Sequence, residues 1–146
     1  MCAFLGTRFF LLINGRSTFL QKKRVVITGM GTINPSGNSV DEYWKNLIAG
    51  TPCISKINHF DVSKYSTQIG GILSNINLED HFDKKDVRRT SKFIMYAVIA
   101  ARQAVLDSGL DMKNEADYIG VEIGSGIGGI EVFEDAANTL TSKGPS

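Results

Sequence analysis

The sequence predicts an α/β layered domain, in which short strands alternate with helices. Segments with the β-branched or alternating pattern of strands lie at 24–28, 67–73 and 118–123. Segments with helical periodicity lie between and after them. The length of 146 residues, 42% of them hydrophobic, fits one globular domain of about 100–200 residues.

The first predicted strand, 24–28 (RVVIT), is a β-branched run of the kind that is buried in a sheet. A loop over 29–38 follows, with three glycines and a proline. Ser39 and Glu42 then have the spacing of a capping box, which predicts the start of a helix. This helix is expected to end at Gly50 and to bury an apolar face, formed by Val40, Trp44, Leu47 and Ile48.

The longest predicted element is one helix over 84–108, with Gly109 as its C-terminal stop. The run 93–101 is apolar without a break, which predicts a central helix covered on several sides. One face of this helix collects the apolar residues Val87, Ile94, Val98, Ala101 and Val105.

The strand predicted at 118–123 leads into a glycine-rich turn, 124–129 (GSGIGG), and then into a last helix. The inner face of that helix is expected to comprise Ile127, Ile130, Phe133, Ala137 and Leu140. The turn has the G-x-G-x-x-G form of a dinucleotide-binding loop. That motif needs an acid about 20 residues further on, at the end of the next strand. Residues 138–146 contain neither an acid nor a strand pattern, so we favour close packing of the helix on the strand over nucleotide binding.

Charge and cysteine content exclude several classes of protein. Residues 1–40 carry five basic residues and no acid, whereas the remaining residues hold 11 basic residues and all 15 acids. This slightly acidic body argues against a nucleic-acid partner. Two cysteines are too few for a disulfide scaffold or a four-cysteine zinc site. The longest early apolar run has five residues, against about 20 for a membrane span.

Residues 1–21 differ in character from the rest and are interpreted as an N-terminal extension, which leaves 22–146 as the domain. The segment is basic, contains serine and threonine, and has no acid. A start site placed too far upstream is the favoured explanation. An organellar presequence is the alternative, and a secretory signal fits less well because its apolar run is short. The expected location is cytoplasmic, or an organelle if the segment is a presequence.

Five motifs in order resemble the β-ketoacyl-[acyl carrier protein] synthases, and the elongating type II branch in particular. They are RVVITGMGTINPSGN at 24–38, YWKNL at 43–47, INHFD at 57–61, QAVLDSGL at 103–110 and IGSGIGG at 123–129. The resemblance covers 22–146. It implies the early part of the N-terminal half of a thiolase-like fold with αβαβα layers.

The resemblance also implies a chemistry and its partners. The family elongates acyl-carrier thioesters with malonyl-carrier by decarboxylative condensation, usually as a homodimer. It requires no metal or other cofactor, because the phosphopantetheine arm belongs to the acyl carrier protein. The family's catalytic cysteine and two histidines correspond to positions beyond Ser146. The 146-residue chain is therefore expected to be inactive, or alternatively to be a non-catalytic carrier-binding or dimer-partner module.

Helical spacing and the family resemblance together assign two groups of site residues. Lys85, Arg88, Arg89 and Lys92 are spaced as one stripe on the long helix, where cations in the early turns oppose the helix macrodipole. By resemblance the first three match the family's carrier-docking positions, and Lys92 is added from spacing alone. The alternative is a solvated face neutralised by Asp83 and Asp86.

By resemblance Ile127 lines the acyl pocket, and an ordinary core position is the alternative. The cysteines and histidines of this chain are expected to be non-catalytic, namely Cys2, Cys53, His59 and His81.

Overall fold

A computed structural model describes residues 2–5, 24–73 and 76–145. The strands are β1 (Cys2–Leu5), β2 (Gly29–Thr32), β3 (Ile54–Lys56) and β4 (Ile69–Gly71). The α-helices are α1 (Val40–Ile48), α2 (Lys84–Arg89), α3 (Lys92–Ser108) and α4 (Ile130–Lys143), and short 3-10 turns occupy Leu78–Asp80 and Ala116–Tyr118. The interpretation of 1–21 as an extension falls mostly outside the described residues, and its described part forms β1.

The strands form two antiparallel ribbons. β1 pairs with β2 so that Cys2 lies opposite Thr32, and β3 pairs with β4 so that Ile54 lies opposite Gly71. Helix α3 packs against both strands of the first ribbon. β4 lies within the strand predicted at 67–73, which confirms that element despite its two glycines.

Strand β2 lies unusually close to α3, and glycine makes this possible. A Cβ atom added at Gly29 would come within 2.2 Å of the Ala104 carbonyl oxygen, and one at Gly31 within 2.0 Å of the Ala100 carbonyl oxygen. Ala100 and Ala104 are fully buried beneath the strand. Small residues on both elements therefore bring the two backbones together.

Side chains of α3 accept hydrogen bonds from β2. The Met30 N–H donates to Oδ2 of Asp107 at 2.9 Å, and the Thr32 N–H donates to Oε1 of Gln103 at 3.0 Å. The Gln103 amide nitrogen also donates to the Asn38 carbonyl oxygen at 2.6 Å. The helix thus replaces a neighbouring strand on this side of β2, because it supplies the acceptors that the strand N–H groups require.

The core is centred on three buried residues, Ile33, Ile99 and Ala100. Half-buried apolar residues pack around them, namely Leu73, Ile76, Leu78, Phe82 and Tyr96. The buried positions of α3 are Met95, Ala97, Ile99, Ala100 and Ala104. The prediction of a central helix is thus correct, but the predicted face is wrong, because the side of α3 that faces β2 and the core is the one with Ile99, Ala100 and Ala104.

Two predicted strands are wrong. Residues 24–28 form no strand, and Val25 and Ile27 are exposed. The strand begins at Gly29 instead, because β1 pairs with Gly29–Thr32 and no described strand pairs with 24–28. Residues 118–123 form the end of a 3-10 turn and a loop. Among the described residues both sheets have only two strands, and neither offers this segment a partner.

The predicted ends of the helices are largely correct. The Ser39 hydroxyl oxygen accepts from the Glu42 N–H at 3.2 Å, while Glu42 Oε2 accepts from the Asn38 N–H at 2.8 Å. In a regular capping box the glutamate accepts from the N–H of the N-cap residue. Here it accepts from Asn38, one residue before the N-cap. Gly109 ends α3 in the left-handed conformation, with φ of 66°. The single helix predicted over 84–108 is wrong, since the backbone is extended at Thr90 and Ser91 and separates α2 from α3.

The apolar faces of α1 and α4 are uncovered, contrary to prediction. Trp44 is 59% exposed, and Leu47 and Ile48 on the same helix are also exposed. On α4 the exposed apolar residues are Ile130, Val132, Phe133 and Leu140. Within the described part of the chain nothing packs over these faces closely enough to bury them, so both helices present amphipathic surfaces to solvent.

Replacing Gly31 by alanine should destabilise the chain, because the new Cβ would overlap the Ala100 carbonyl oxygen. The expected loss in free energy of unfolding is about 1–3 kcal/mol, as for other overpacked positions. Urea denaturation of the variant measures it. Gly124→Ala is the matched control, since a Cβ there meets nothing within 4 Å. Unchanged unfolding of Gly31→Ala would show that the β2–α3 approach is not needed for stability.

Candidate functional site

The candidate site begins with the basic face of α2, which we define as Lys85, Arg88 and Arg89. All three side chains are exposed. They lie at positions i, i+3 and i+4 of a six-residue helix and so share one side of it. Among the described residues none of the three cations has a carboxylate within ion-pairing distance, whereas neighbouring Lys84 lies 3.6 Å from Glu79. The basic face is therefore open to an external partner.

The helix break overturns one argument for this face. Because α2 ends at Arg89, Arg88 and Arg89 lie in its last turn, where the macrodipole stabilises cations. The prediction that these cations oppose the dipole is wrong for both arginines. Their helical positions are therefore compatible with folding alone, and the case for a docking role depends on their exposure and lack of partners.

Lys92 does not belong to the same stripe. It is the first residue of α3, beyond the break at Thr90 and Ser91. Its charge acts on Glu131 of α4 and contributes to lowering the pKa of that carboxyl group, after the larger effect of the Ser91 hydroxyl. The continuous four-residue stripe is thus wrong, because the extended backbone at the break ends the helical spacing before Lys92.

Two acids, Asp83 and Asp86, lie close to the basic face at the start of α2. Asp83 and Asp86 line an open groove of about 410 Å³, together with Glu79, Asp80, His81, Phe82 and Arg102. The Arg102 guanidinium donates to the His81 carbonyl oxygen at 3.0 Å and lies 5.2 Å from the centre of the Phe82 ring. Asp83 and Asp86 make no ion pair with Lys85, Arg88 or Arg89, so they do not neutralise the basic face by direct contact.

The glycine turn 124–129 holds Ile127 outside the core. Ile127 is 80% exposed and precedes α4, so an ordinary core position on that helix is wrong for it. The Ser125 hydroxyl oxygen accepts from the Gly128 N–H at 3.0 Å, and Gly128 has a positive φ of 81°. A dinucleotide-binding loop follows directly after a strand. Residues 119–123 form a loop, so the turn does not have the structure of a dinucleotide-binding site.

Close packing at the turn involves α3 rather than a strand. A Cβ added at Gly129 would come within 2.6 Å of the Ser91 hydroxyl oxygen, whereas Gly124 and Gly126 have open space around them. The prediction that the last helix packs on a strand is therefore wrong, because the start of α4 packs on the start of α3 instead. What glycine permits here is contact between the start of α4 and the start of α3.

A polar junction between Ser91 and Glu131 accompanies this contact. The Ser91 hydroxyl donates to Oε1 of Glu131, and the Lys92 N–H donates to the same oxygen at 3.2 Å. The Ser91 hydroxyl, the N–H of Glu131 itself and the Lys92 N–H and charge together lower the pKa of Glu131. Sequence reasoning missed this junction, because only the N-cap preference of serine marks Ser91 and its partner lies 40 residues away.

The histidines and the described cysteine side chain form no catalytic arrangement in the described residues. Cys53 is exposed and makes no hydrogen bond with a histidine. His59 packs edge-on against Phe60, with ring centres 4.9 Å apart, and His81 lines the open groove beside α2. No described group of three His, Cys, Asp or Glu residues could hold a metal ion. The non-catalytic role of these residues, and of Cys2, stays a prediction.

None of the helices in the described residues is long and apolar enough to cross a membrane.

Comparisons with known proteins match nearly the whole chain. The family model described as "Beta-ketoacyl synthase, N-terminal domain" matches residues 22–145. A 3-oxoacyl-[acyl-carrier-protein] synthase 2 of Staphylococcus aureus (strain COL) is 53% identical over 126 residues, which are 86% of this chain and 30% of the relative. The protein of the same name from Vibrio cholerae serotype O1 is 46% identical over 127 residues, 86% of this chain and 31% of the relative. The chain thus spans about a third of these relatives' length.

Two solved structures have a similar fold. The ishigamide ketosynthase/chain length factor superposes with a TM-score of 0.61 and 26% identity, over 80% of this chain and 29% of that chain. A type II PKS acyl-carrier protein in complex with its ketosynthase gives a TM-score of 0.61 and 25% identity, over 84% of this chain and 32% of that chain. The described elements therefore correspond to part of a ketosynthase structure.

Ser91→Ala should raise the pKa of Glu131, because it removes the largest cause of the lowered value. A carboxyl group with a lowered pKa stabilises the fold above its unfolded pKa of about 4.3, and this contribution disappears as the pH falls through the folded pKa. Acid unfolding of the variant should therefore begin at a higher pH than that of the unaltered chain.

A ¹³C NMR titration of the Glu131 carboxyl group measures this shift. Ser142→Ala is the control, because that hydroxyl donates within α4 to the Asn138 carbonyl oxygen. An identical titration of Glu131 in Ser91→Ala and in the unaltered chain would contradict the assigned cause.

Proposed function

The chain belongs to the beta-ketoacyl synthase family, and on that premise we propose that it is the N-terminal part of a fatty-acid condensing enzyme. Its fold is the early, N-terminal portion of the thiolase-like ketosynthase fold. The observation that carries the proposal is the 53% identity to a 3-oxoacyl-[acyl-carrier-protein] synthase 2 over 126 residues. Such identity across most of the chain favours the elongating type II branch.

The proposed reaction is a decarboxylative Claisen condensation of the whole enzyme. The thiolate of a catalytic cysteine attacks the acyl-carrier thioester, takes the acyl group and releases the carrier thiol. Malonyl-carrier then loses CO₂. The resulting carbanion equivalent attacks the acyl thioester, forms the new carbon–carbon bond and releases the cysteine thiolate. The carrier supplies the phosphopantetheine arm, and we propose no further cofactor. The whole enzyme is proposed to be a homodimer, and the cytoplasmic or organellar location expected from the sequence stays a prediction.

The basic face of α2 is proposed to dock the acyl carrier protein. Its three exposed cations lack carboxylate partners among the described residues, and acyl carrier proteins are acidic. Complementary charge of this kind raises the rate of encounter between two proteins. Lys92 is left out of the docking group, because it lies beyond the helix break and beside Glu131. A ketosynthase solved with its acyl-carrier protein is among the similar structures, which makes a carrier partner reasonable.

Ile127 is proposed to line the acyl pocket. Its side chain is exposed and takes no part in the described core, so it is available to a ligand. Gly126 and Gly128 on either side carry no side chains that would compete for the same space. An apolar side chain held on a turn in this way suits contact with an acyl chain.

We expect the 146-residue chain to be inactive by itself. The family's cysteine and histidines correspond to positions beyond Ser146, and binding groups do not replace a missing nucleophile. A condensation assay with acyl-carrier and malonyl-carrier should give no product above a blank without protein. Product above that blank would show that another residue serves as nucleophile.

Reversing both arginine charges should weaken carrier-dependent activity. In a full-length relative that carries the same cations, Arg88→Glu with Arg89→Glu should raise KM for acyl-carrier about 10- to 100-fold, because juxtaposed like charges cost several kcal/mol. Steady-state kinetics with carrier-borne and carrier-free thioesters measure this effect. The carrier-free reaction should be nearly unchanged, and salt should weaken only the carrier-dependent reaction, over a Debye length of about 8–10 Å.

The matched control is Lys56→Glu with Lys113→Glu, an equal charge reversal at exposed positions away from α2. An equal rise in KM for both double variants would indicate a nonspecific effect of net charge. Equal losses with carrier-borne and carrier-free substrates would remove the docking assignment.

A further inference from the structure

The start of α3 depends on a residue from another helix. The first N–H groups of a helix have no partner within it, and a capping side chain normally accepts from them. Ser91 occupies the N-cap position of α3, yet its side chain makes no capping hydrogen bond. Instead its hydroxyl donates to Glu131, whose carboxylate accepts the N–H of Lys92. Glu131 therefore caps α3 from the first turn of α4.

Charge favours this arrangement. A carboxylate at the N-terminus of the 17-residue helix α3 complements the positive end of its macrodipole. Lys92 adds a cation nearby, and the hydrogen bond from Ser91 is the largest cause of the lowered pKa of Glu131. Tyr96 is the other titratable neighbour, and its pKa is raised by burial and then by the charge of Glu131. Glu131 is therefore ionised, and accepts both hydrogen bonds, at neutral pH.

The junction fixes the glycine turn. Gly129 lies against Ser91 with no room for a Cβ, and a Cβ added at Gly128 would contact the Phe93 ring at 3.9 Å. Ile127 is only four residues before Glu131. The close approach of Gly129 to Ser91 therefore limits where the end of the turn, and Ile127 two residues before it, can move. On the other side, Arg89 of the basic face is two residues before Ser91.

We propose that Glu131 is a positioning residue, which anchors the turn 124–129 to the N-terminus of α3 and so sets the position of Ile127. The inference rests on the proposed function, in which Ile127 lines the acyl pocket. Glu131 touches no substrate in this role. Loosening the anchor lets the turn move and alters which acyl chains the pocket accepts.

The test uses a full-length relative that carries the same serine, glutamate and isoleucine. Glu131→Ala should change the ratio of kcat/KM for long and short acyl-carriers by about fivefold to tenfold, which is about 1–1.4 kcal/mol. Glu131→Gln should restore most of the ratio, because its amide oxygen can accept the same two hydrogen bonds. Glu134→Ala is the matched control, since it removes an exposed carboxylate from the same helix without affecting Ser91.

Hydrogen exchange gives a second measurement that does not depend on activity. In Glu131→Ala the amides of 125–129 should exchange faster, whereas those of α1 should be unchanged. Unchanged exchange in the turn would overturn the inference. So would an equal loss of activity with long and short acyl chains, accompanied by a lower melting temperature, because that result indicates a purely structural role.

An Ile127→Ala variant separates failure of this inference from failure of the proposed function. If Ile127→Ala changes the chain-length ratio and Glu131→Ala does not, the positioning role is overturned and the pocket assignment stands. If Ile127→Ala leaves the ratio unchanged, the pocket assignment fails. Faster exchange in Glu131→Ala would in that case still support the anchor itself.

Discussion

The approach of β2 to α3 is the constraint on which the rest of the described structure depends. Two glycines on the strand face two buried alanines on the helix, so backbone atoms meet where side chains usually separate such elements. This contact aligns Gln103 and Asp107 with strand N–H groups. It also orients α3, whose other end carries Ser91. The core around Ile33 and the polar junction with α4 therefore depend on the same helix being held in one position.

Sequence patterns predicted the features that local chemistry decides. The cap at Ser39 and the stop at Gly109 involve residues within a few positions of each other, so one segment contains all the necessary information. The strands at 24–28 and 118–123 failed for the opposite reason. Branched residues suit a sheet, but pairing requires a neighbouring strand, which no local pattern specifies. The preference of serine for the N-cap position is a local signal for the break before α3. The prediction of one helix missed it, because apolar residues recur at helical spacing on both sides of Ser91.

The candidate site divides in the same way. Lys85, Arg88 and Arg89 could be grouped from helical spacing and family resemblance, and they do share one exposed face. Lys92 was assigned by spacing alone, and the break between α2 and α3 removes the continuous helical spacing on which that assignment depended. The junction of Ser91 with Glu131 could not be predicted from one sequence, because nothing in either segment identifies a partner 40 residues away. Family motifs locate positions, whereas the hydrogen bonds that hold those positions require a structure.

The uncovered face of α1 has a spectroscopic consequence. Trp44 is the chain's one tryptophan, and it is 59% exposed on that face. Indole emission shifts to shorter wavelengths when an apolar surface replaces water around the ring. Any protein segment that covers α1 therefore changes the intrinsic fluorescence of the chain without an added label. Because the chain has a single such fluorophore, that signal reports on the α1 surface alone.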